Sequence, residues 1–232
     1  MSSVSFAAGS ERGFEQATGC VLHIGMPKTA TTTLQGFLFP KHSQVEFLGR
    51  GYPAEGPMPA HRHPSDAAFA LLSELVYENW RSPDWARCRE LTAQLLEPAR
   101  ELGKTPVFSW ESLVEDRMHV RRARAENFRE AFGPCSVIIT LRHPVKLVES
   151  LYLQMIRRDN WGGTVRRGDR PRYETIDRWL TKNWGTPGQP PSSHLEYPET
   201  IEAYAEVFGR ENIHILLFED FVESPDRFIR HL

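Results

Sequence analysis

Residues 21–35 read Val-Leu-His-Ile-Gly-Met-Pro-Lys-Thr-Ala-Thr-Thr-Thr-Leu-Gln. The apolar run from Cys20 to Ile24 predicts a short buried strand. Gly25 and Pro27 break it, and a hydroxyl-rich segment then opens a helix on which Leu34, Phe37 and Leu38 recur at helical spacing. A strand, a tight loop bearing a lysine and a helix N-terminus together make an anion site. Backbone N–H groups converge there, the helix dipole adds partial positive charge and Lys28 adds a full one. The hydroxyls of Thr29, Thr31, Thr32 and Thr33 are further donors. Taken alone, the same residues also describe an ordinary strand-to-helix turn with a threonine-rich start.

A second strand-to-helix unit lies more than a hundred residues on. Ser136-Val-Ile-Ile-Thr-Leu141 is a continuous β-branched and apolar run, the pattern of a strand buried on both faces. It leads into Arg142-His143-Pro144 and a helical pattern over 145–158, with Pro144 suited to the first helical turn. Arg142 offers a planar fork to a phosphate, and Ser150, eight residues later, a hydroxyl. Either residue alone also reads as solvated surface.

The first loop is not the usual nucleotide triphosphatase loop G-x-x-x-x-G-K-[ST]: Ala30 stands five positions after Gly25, and the lysine sits in mid-loop. Pro27-Lys28-Thr29-Ala30-Thr31-Thr32 resembles instead the 5′-phosphosulfate loop of the sulfotransferases, which use 3′-phosphoadenosine 5′-phosphosulfate (PAPS) as donor. That family usually has glycine at the position of Ala30, and alanine is strained there if the backbone needs a positive φ. Arg142-x-Pro144 with Ser150 resembles the family's 3′-phosphate motif. The resemblance covers most of 20–220. It implies a three-layer α/β sandwich with a central, mainly parallel sheet of the P-loop type. It implies that Gly25, Pro27, Lys28, Thr29, Ala30, Thr31 and Thr32 bind the 5′-phosphate side, that Arg142 and Ser150 hold the 3′-phosphate, and that 3′,5′-diphosphoadenosine is the product, with no metal required. In cytosolic sulfotransferases a further glycine- and lysine-bearing segment follows the last motif seen here and closes over the nucleotide.

At 232 residues the chain is read as one domain over 18–232, with 1–17 a disordered lead-in. The net charge of −2 supplies no global field toward nucleic acid or membrane. No apolar run approaches the roughly 20 residues of a membrane span, and the N-terminus lacks a signal-peptide pattern, so the expectation is a cytoplasmic enzyme. Cys20, Cys88 and Cys135 have no metal-type spacing and fit a reducing compartment.

Strands are expected at 20–24, 45–48, 105–109, 136–141 and 212–218. Helices are expected at 31–39, 66–80, 84–102, 119–132, 144–158, 173–184, 199–208 and from 225. This alternation predicts a parallel sheet between helices, with ligands beyond the carboxyl ends of the strands. Loop-rich stretches at 49–65, 159–172 and 185–198 are candidate acceptor walls.

Sulfuryl transfer asks for an in-line acceptor and stabilised charge on the equatorial and leaving oxygens. By resemblance Lys28 contacts the bridging oxygen. Glu111, just past the strand 105–109, is the candidate proton acceptor, with a first-turn helix residue as the plain alternative. His61, His63 and His119 are weaker candidates. The arginines at 157, 158, 166, 167, 170 and 172 around Trp161 could attract an anionic acceptor, and Trp110 and Trp161 could stack on one, although solvated arginines and core tryptophans are commoner. Arg117, Arg121, Arg122 and Arg124 read as an exposed helix face. The leading reading is a PAPS-dependent sulfotransferase acting on a hydroxyl of a carbohydrate, lipid or small metabolite. The alternatives are a P-loop nucleotide kinase and a non-catalytic nucleotide-binding module.

Overall fold

The fold is taken from a computed structural model that describes residues 19–49, 65–114, 117–161, 174–184 and 192–232. Strand β1 (Cys20–His23) runs into the lysine loop and a continuous helical segment: α1 (Thr31–Thr33), a π turn (Leu34–Leu38) and a 3-10 turn (Phe39–Lys41). Then come β2 (Val45–Phe47), α2 (Asp66–Leu72) with a π turn over Ser73–Tyr77, α3 (Trp85–Glu101), β3 (Thr105–Ser109) and α4 (Met118–Phe132). The chain continues through β4 (Cys135–Leu141), α5 (Pro144–Trp161), α6 (Ile176–Asn183), α7 (Tyr197–Phe208), β5 (Ile213–Leu217), α8 (Phe218–Glu223) and α9 (Pro225–His231). Helix starts follow local chemistry: Ser65, Asp84, Thr175 and Ser224 accept backbone N–H groups at the heads of α2, α3, α6 and α9.

The strands form one all-parallel sheet in the order β2-β3-β1-β4-β5. The three inner strands are the most buried: all of β1, residues 107–109 of β3 and residues 137–140 of β4 are shielded on both faces, whereas the edge strands β2 and β5 are only partly covered. Cys20, Leu22, Phe108, Val137 and Ile139 face a core built with α2, α3, α4 and α7. Val21, Val107 and Ile138 face a second core with Leu34, Phe39 and Phe228. The result is the expected helix–sheet–helix sandwich. Beyond β1 the connections part, β2 and β3 to one side and β4 and β5 to the other, which makes the carboxyl end of β1 the topological switch point where such sheets bind ligands.

Three expectations change. The apolar run into Phe218 ends as a strand at Leu217, and α8 follows at once, because the carboxylates of Glu219 and Asp220 suit a helix N-terminus. The helix expected over 66–80 is regular only to Leu72 and ends with a π turn over Ser73–Tyr77. Arg121 and Arg124 are not an exposed face but are buried. Arg121 donates to Thr200 Oγ1 at 2.5 Å and Ser193 O at 2.7 Å, and lies 3.1 Å from the Glu196 carboxylate. Arg124 Nε donates to Val76 O at 3.1 Å. Long apolar stems let both guanidinium groups reach partners inside. The expectations for 1–17, for His61 and His63, and for the arginines around Trp161 fall outside the described residues or side chains, as does most of the three loop-rich stretches.

Candidate active site

Because every strand is parallel, the lysine loop after β1, Glu111 after β3, Arg142 after β4 and Phe218 after β5 all emerge at one rim. The loop begins at Gly25. A Cβ there would stand 2.8 Å from His23 Nε2 and 2.8 Å from Thr31 Cγ2, so the backbone lies directly on a histidine ring and only glycine fits. Met26 N donates to Thr140 O at 3.2 Å, which ties the loop to β4. Pro27 is buried. Lys28 and Ala30 adopt left-handed backbone at φ 68° and 65°. The alanine therefore sits where glycine would be strain-free, a strain of the order of 1 kcal/mol.

This backbone leaves the N–H groups of Lys28, Thr29, Ala30, Thr31 and Thr32 without a backbone acceptor among the described residues. Consecutive free N–H groups at a helix start form an anion-binding concavity. The threonines divide the work. The buried Thr29 hydroxyl donates to Met26 O at 2.5 Å, inside the loop. Thr31 Oγ1 donates to Glu111 Oε1, which brings the candidate base onto the loop. Thr32 is exposed. The half-buried Lys28 side chain makes no ion pair among the described residues.

Arg142 closes the other side. Its Nη1 donates to Lys28 O at 2.9 Å, its guanidinium carbon lies 4.4 Å from the centre of the Phe218 ring, and its Nε is buried without a partner among the described residues. Two segments 114 residues apart are thus in direct contact. The turn after β4 is held from both sides: Tyr197 OH donates to Arg142 O at 2.8 Å, and His143 N donates to Glu219 Oε1 at 2.9 Å. Burial pushes the Tyr197 phenol up to about 12, so it stays protonated and a donor. The Arg121 cluster fixes the first turn of α7, which carries Tyr197. Ser150 is half-buried on α5 and makes no side-chain hydrogen bond among the described residues. The structure brings Gly25, Thr31, Lys28, Glu111 and Arg142 together. His119 is exposed on α4, and Trp110 is a core residue whose Nε1 donates to Tyr77 OH at 2.6 Å.

Among solved structures, the chain is similar to a sulfotransferase from Alicyclobacillus acidocaldarius, with a TM-score of 0.55 and 18% identity over 90% of this chain and 77% of that one. The chain has the sulfotransferase fold. A sulfotransferase domain from the curacin biosynthetic pathway also aligns, with a TM-score of 0.45 and 14% identity over 92% of this chain and 72% of that one. No protein-family profile and no curated protein matches the sequence. No described helix is long and apolar enough to cross a membrane, and the described residues contain no group of three or more potential metal ligands.

In this sulfotransferase fold the sequence reading missed the layer beneath the loop. His23, Ser109, Thr140 and Gln35 are all buried. His23 Nδ1 lies 2.7 Å from Ser109 Oγ and its Nε2 3.4 Å from Thr140 Oγ1; Gln35 Nε2 donates to Ser109 Oγ at 2.9 Å. Burial lowers the imidazole to about 4, so His23 is neutral near pH 7. The available signal was the single polar residue interrupting each of three apolar runs.

Proposed function

We propose that this protein transfers a sulfuryl group from PAPS to a hydroxyl of a carbohydrate, lipid or small-metabolite acceptor. The observation that carries the reading is the contact between Arg142 and the lysine loop, across a concavity of free backbone N–H groups. A doubly phosphorylated adenosine suits it. One phosphate needs the loop N–H groups and the Thr32 hydroxyl; the other needs a fork donor such as Arg142, whose buried Nε has no partner among the described residues, with Ser150 as a further donor on the same strand-to-helix unit.

In this reading Lys28 meets charge developing on the bridging oxygen as the S–O bond breaks. Glu111 takes the acceptor proton. Its contact with Thr31 holds the carboxylate at the mouth of the loop, and the same hydroxyl turns to the 5′-phosphate when donor enters. The free, buried cysteines support a reducing compartment, and we place the enzyme in the cytoplasm.

The test is calorimetric binding of 3′,5′-diphosphoadenosine against ATP, followed by turnover of labelled PAPS over a panel of hydroxyl acceptors. A wide preference for 3′,5′-diphosphoadenosine is expected. Arg142→Ala should then lower its affinity about 10- to 100-fold, the range of a charge-assisted hydrogen bond or two, while 5′-AMP loses much less. Preference for ATP would favour a kinase, binding without turnover a non-catalytic module, and equal losses for both nucleotides would refute the role of Arg142.

A further inference from the structure

The three central strands carry polar side chains at or next to their last residues, on the same side of the sheet, and each stands two residues before a residue of the site. His23 precedes Gly25, Ser109 precedes Glu111, and Thr140 precedes Arg142. None of the three has any exposure, and Gln35, from the helical segment that the loop opens, is 1% exposed. His23 is the hub. It reaches Ser109 on one neighbouring strand and Thr140 on the other, and its ring supports the backbone of Gly25. A consistent assignment has Gln35 donating to Ser109 Oγ, Ser109 donating to His23 Nδ1, and His23 Nε2–H donating to Thr140 Oγ1.

Folding alone does not ask for this. The same positions face the core of Leu34, Phe39 and Ile138, where apolar side chains would pack without desolvating four polar groups. His23, Ser109 and Thr140 are paired, while Gln35 Oε1 has no partner among the described residues; buried side chains paired in this way fix one arrangement of the elements that carry them. Directly above lies the segment that most needs fixing, the loop with two non-glycine residues in left-handed backbone.

We propose that His23 is a positioning residue of the donor site, locking the three strand ends that carry Gly25, Glu111 and Arg142 into the single arrangement in which the loop, the base and the arginine act together. This rests on the reading of the site as a PAPS site. His23 touches no substrate; it acts through Ser109 on the turn of Glu111, through Thr140 on the turn of Arg142, and through its ring on the loop floor.

The experiment uses the full chain and needs no identified acceptor: single-turnover release of 3′,5′-diphosphoadenosine from PAPS with water as acceptor, beside calorimetric binding of that product. His23→Phe keeps ring volume and deletes both hydrogen bonds; His23→Asn keeps a polar group near the Nδ1 position. The Phe variant should slow release about 30-fold, within the range that follows small misplacement of reacting groups, and the Asn variant should recover to within about fivefold of wild type. In wild-type protein, the 15N resonances of the His23 imidazole should move when 3′,5′-diphosphoadenosine saturates the site. If wild type neither binds nor turns over PAPS, the donor reading fails and this proposal with it. If wild type is active and His23→Phe matches it, or His23→Asn is no better than His23→Phe, the proposal alone is overturned. Should His23→Phe not fold, imidazole resonances that stay fixed on saturation overturn the proposal, and resonances that move support it.

Discussion

Where the central strands begin, Cys20 of β1 stands in register beside Cys135 of β4, and a cleft of about 310 Å³ opens among Leu96, Arg100, Lys104 and Phe132. Where the same strands finish, they carry His23 and Thr140, and the chain turns into the lysine loop and Arg142. The starting rim has the room and two cations, yet Lys104 is paired with Glu46 at 3.5 Å, and hydrogen bonding to Cys135 together with burial holds the Cys20 thiol well above its ordinary range. The finishing rim has free N–H groups, a lysine without an acidic partner and a buried guanidinium nitrogen without one, among the described residues. In a parallel sheet the helix N-termini follow the strand carboxyl ends, so donors and dipoles gather at that rim whatever the volume of the other.

The largest effect expected follows from that contrast. Lys28→Ala should lower the single-turnover rate on the order of 10²- to 10³-fold, as does removal of one donor to developing transition-state charge. Its melting temperature should barely move, because the side chain is half-buried and anchors no other group. Lys104→Ala, at the starting rim, should stay within about twofold of wild type, as surface pairs contribute little. Comparable losses in the two variants would mean that the rims have been assigned the wrong way round.

The sequence reading worked where local pattern and tertiary demand coincide. Val107-Phe108 and Val137-Ile138-Ile139 read as inner strands because burial on both faces requires such runs, and the lysine loop read as a strand-to-helix turn because its breakers and its threonines are contiguous. It stopped where partners are remote. Ser109 is 86 residues from His23 and Thr140 is 117, so a buried hub and a solvated histidine look alike in sequence. Arg121 misled for the same reason: its partners Ser193 and Thr200 lie 72 and 79 residues away, and without them a basic helix face reads as solvated. The π turns after α1 and α2 have no local marker that separates them from ordinary helix.

A second effect comes from buried imidazoles. Burial lowers both His23 and His194 to about 4, with Arg121 adding repulsion at His194. Above the unfolded value near 6.5 both states are neutral and stability is full. As pH falls from there toward 4, the unfolded chain takes up protons that the folded one refuses, so stability is lost, at most roughly 3 kcal/mol for each histidine. Scanning calorimetry between pH 7 and 4.5 should show the melting temperature falling, with a shallower slope in His23→Asn/His194→Gln. An unchanged slope in that double variant would mean that neither imidazole is held neutral.

The smallest effect bears on strain, where the rims also part. Each turn leading into β1, β3 and β4 has its left-handed residue as glycine: Gly19 at φ 138°, Gly103 at 61° and Gly133 at 76°. At the finishing rim the left-handed residues are Lys28 and Ala30. Ala30→Gly removes a Cβ clash of about 1 kcal/mol and gives back part of it as unfolded-state entropy. The net gain should be up to about 0.5 kcal/mol, a rise of up to about 2 °C in melting temperature for a chain of this size. Gly103→Ala, with open space around its missing Cβ but the same sign of φ, should lower it by a similar amount and leave PAPS release untouched. If Ala30→Gly instead lowers the melting temperature, residue 30 is not left-handed in solution, and the loop owes its free N–H groups to Lys28 alone.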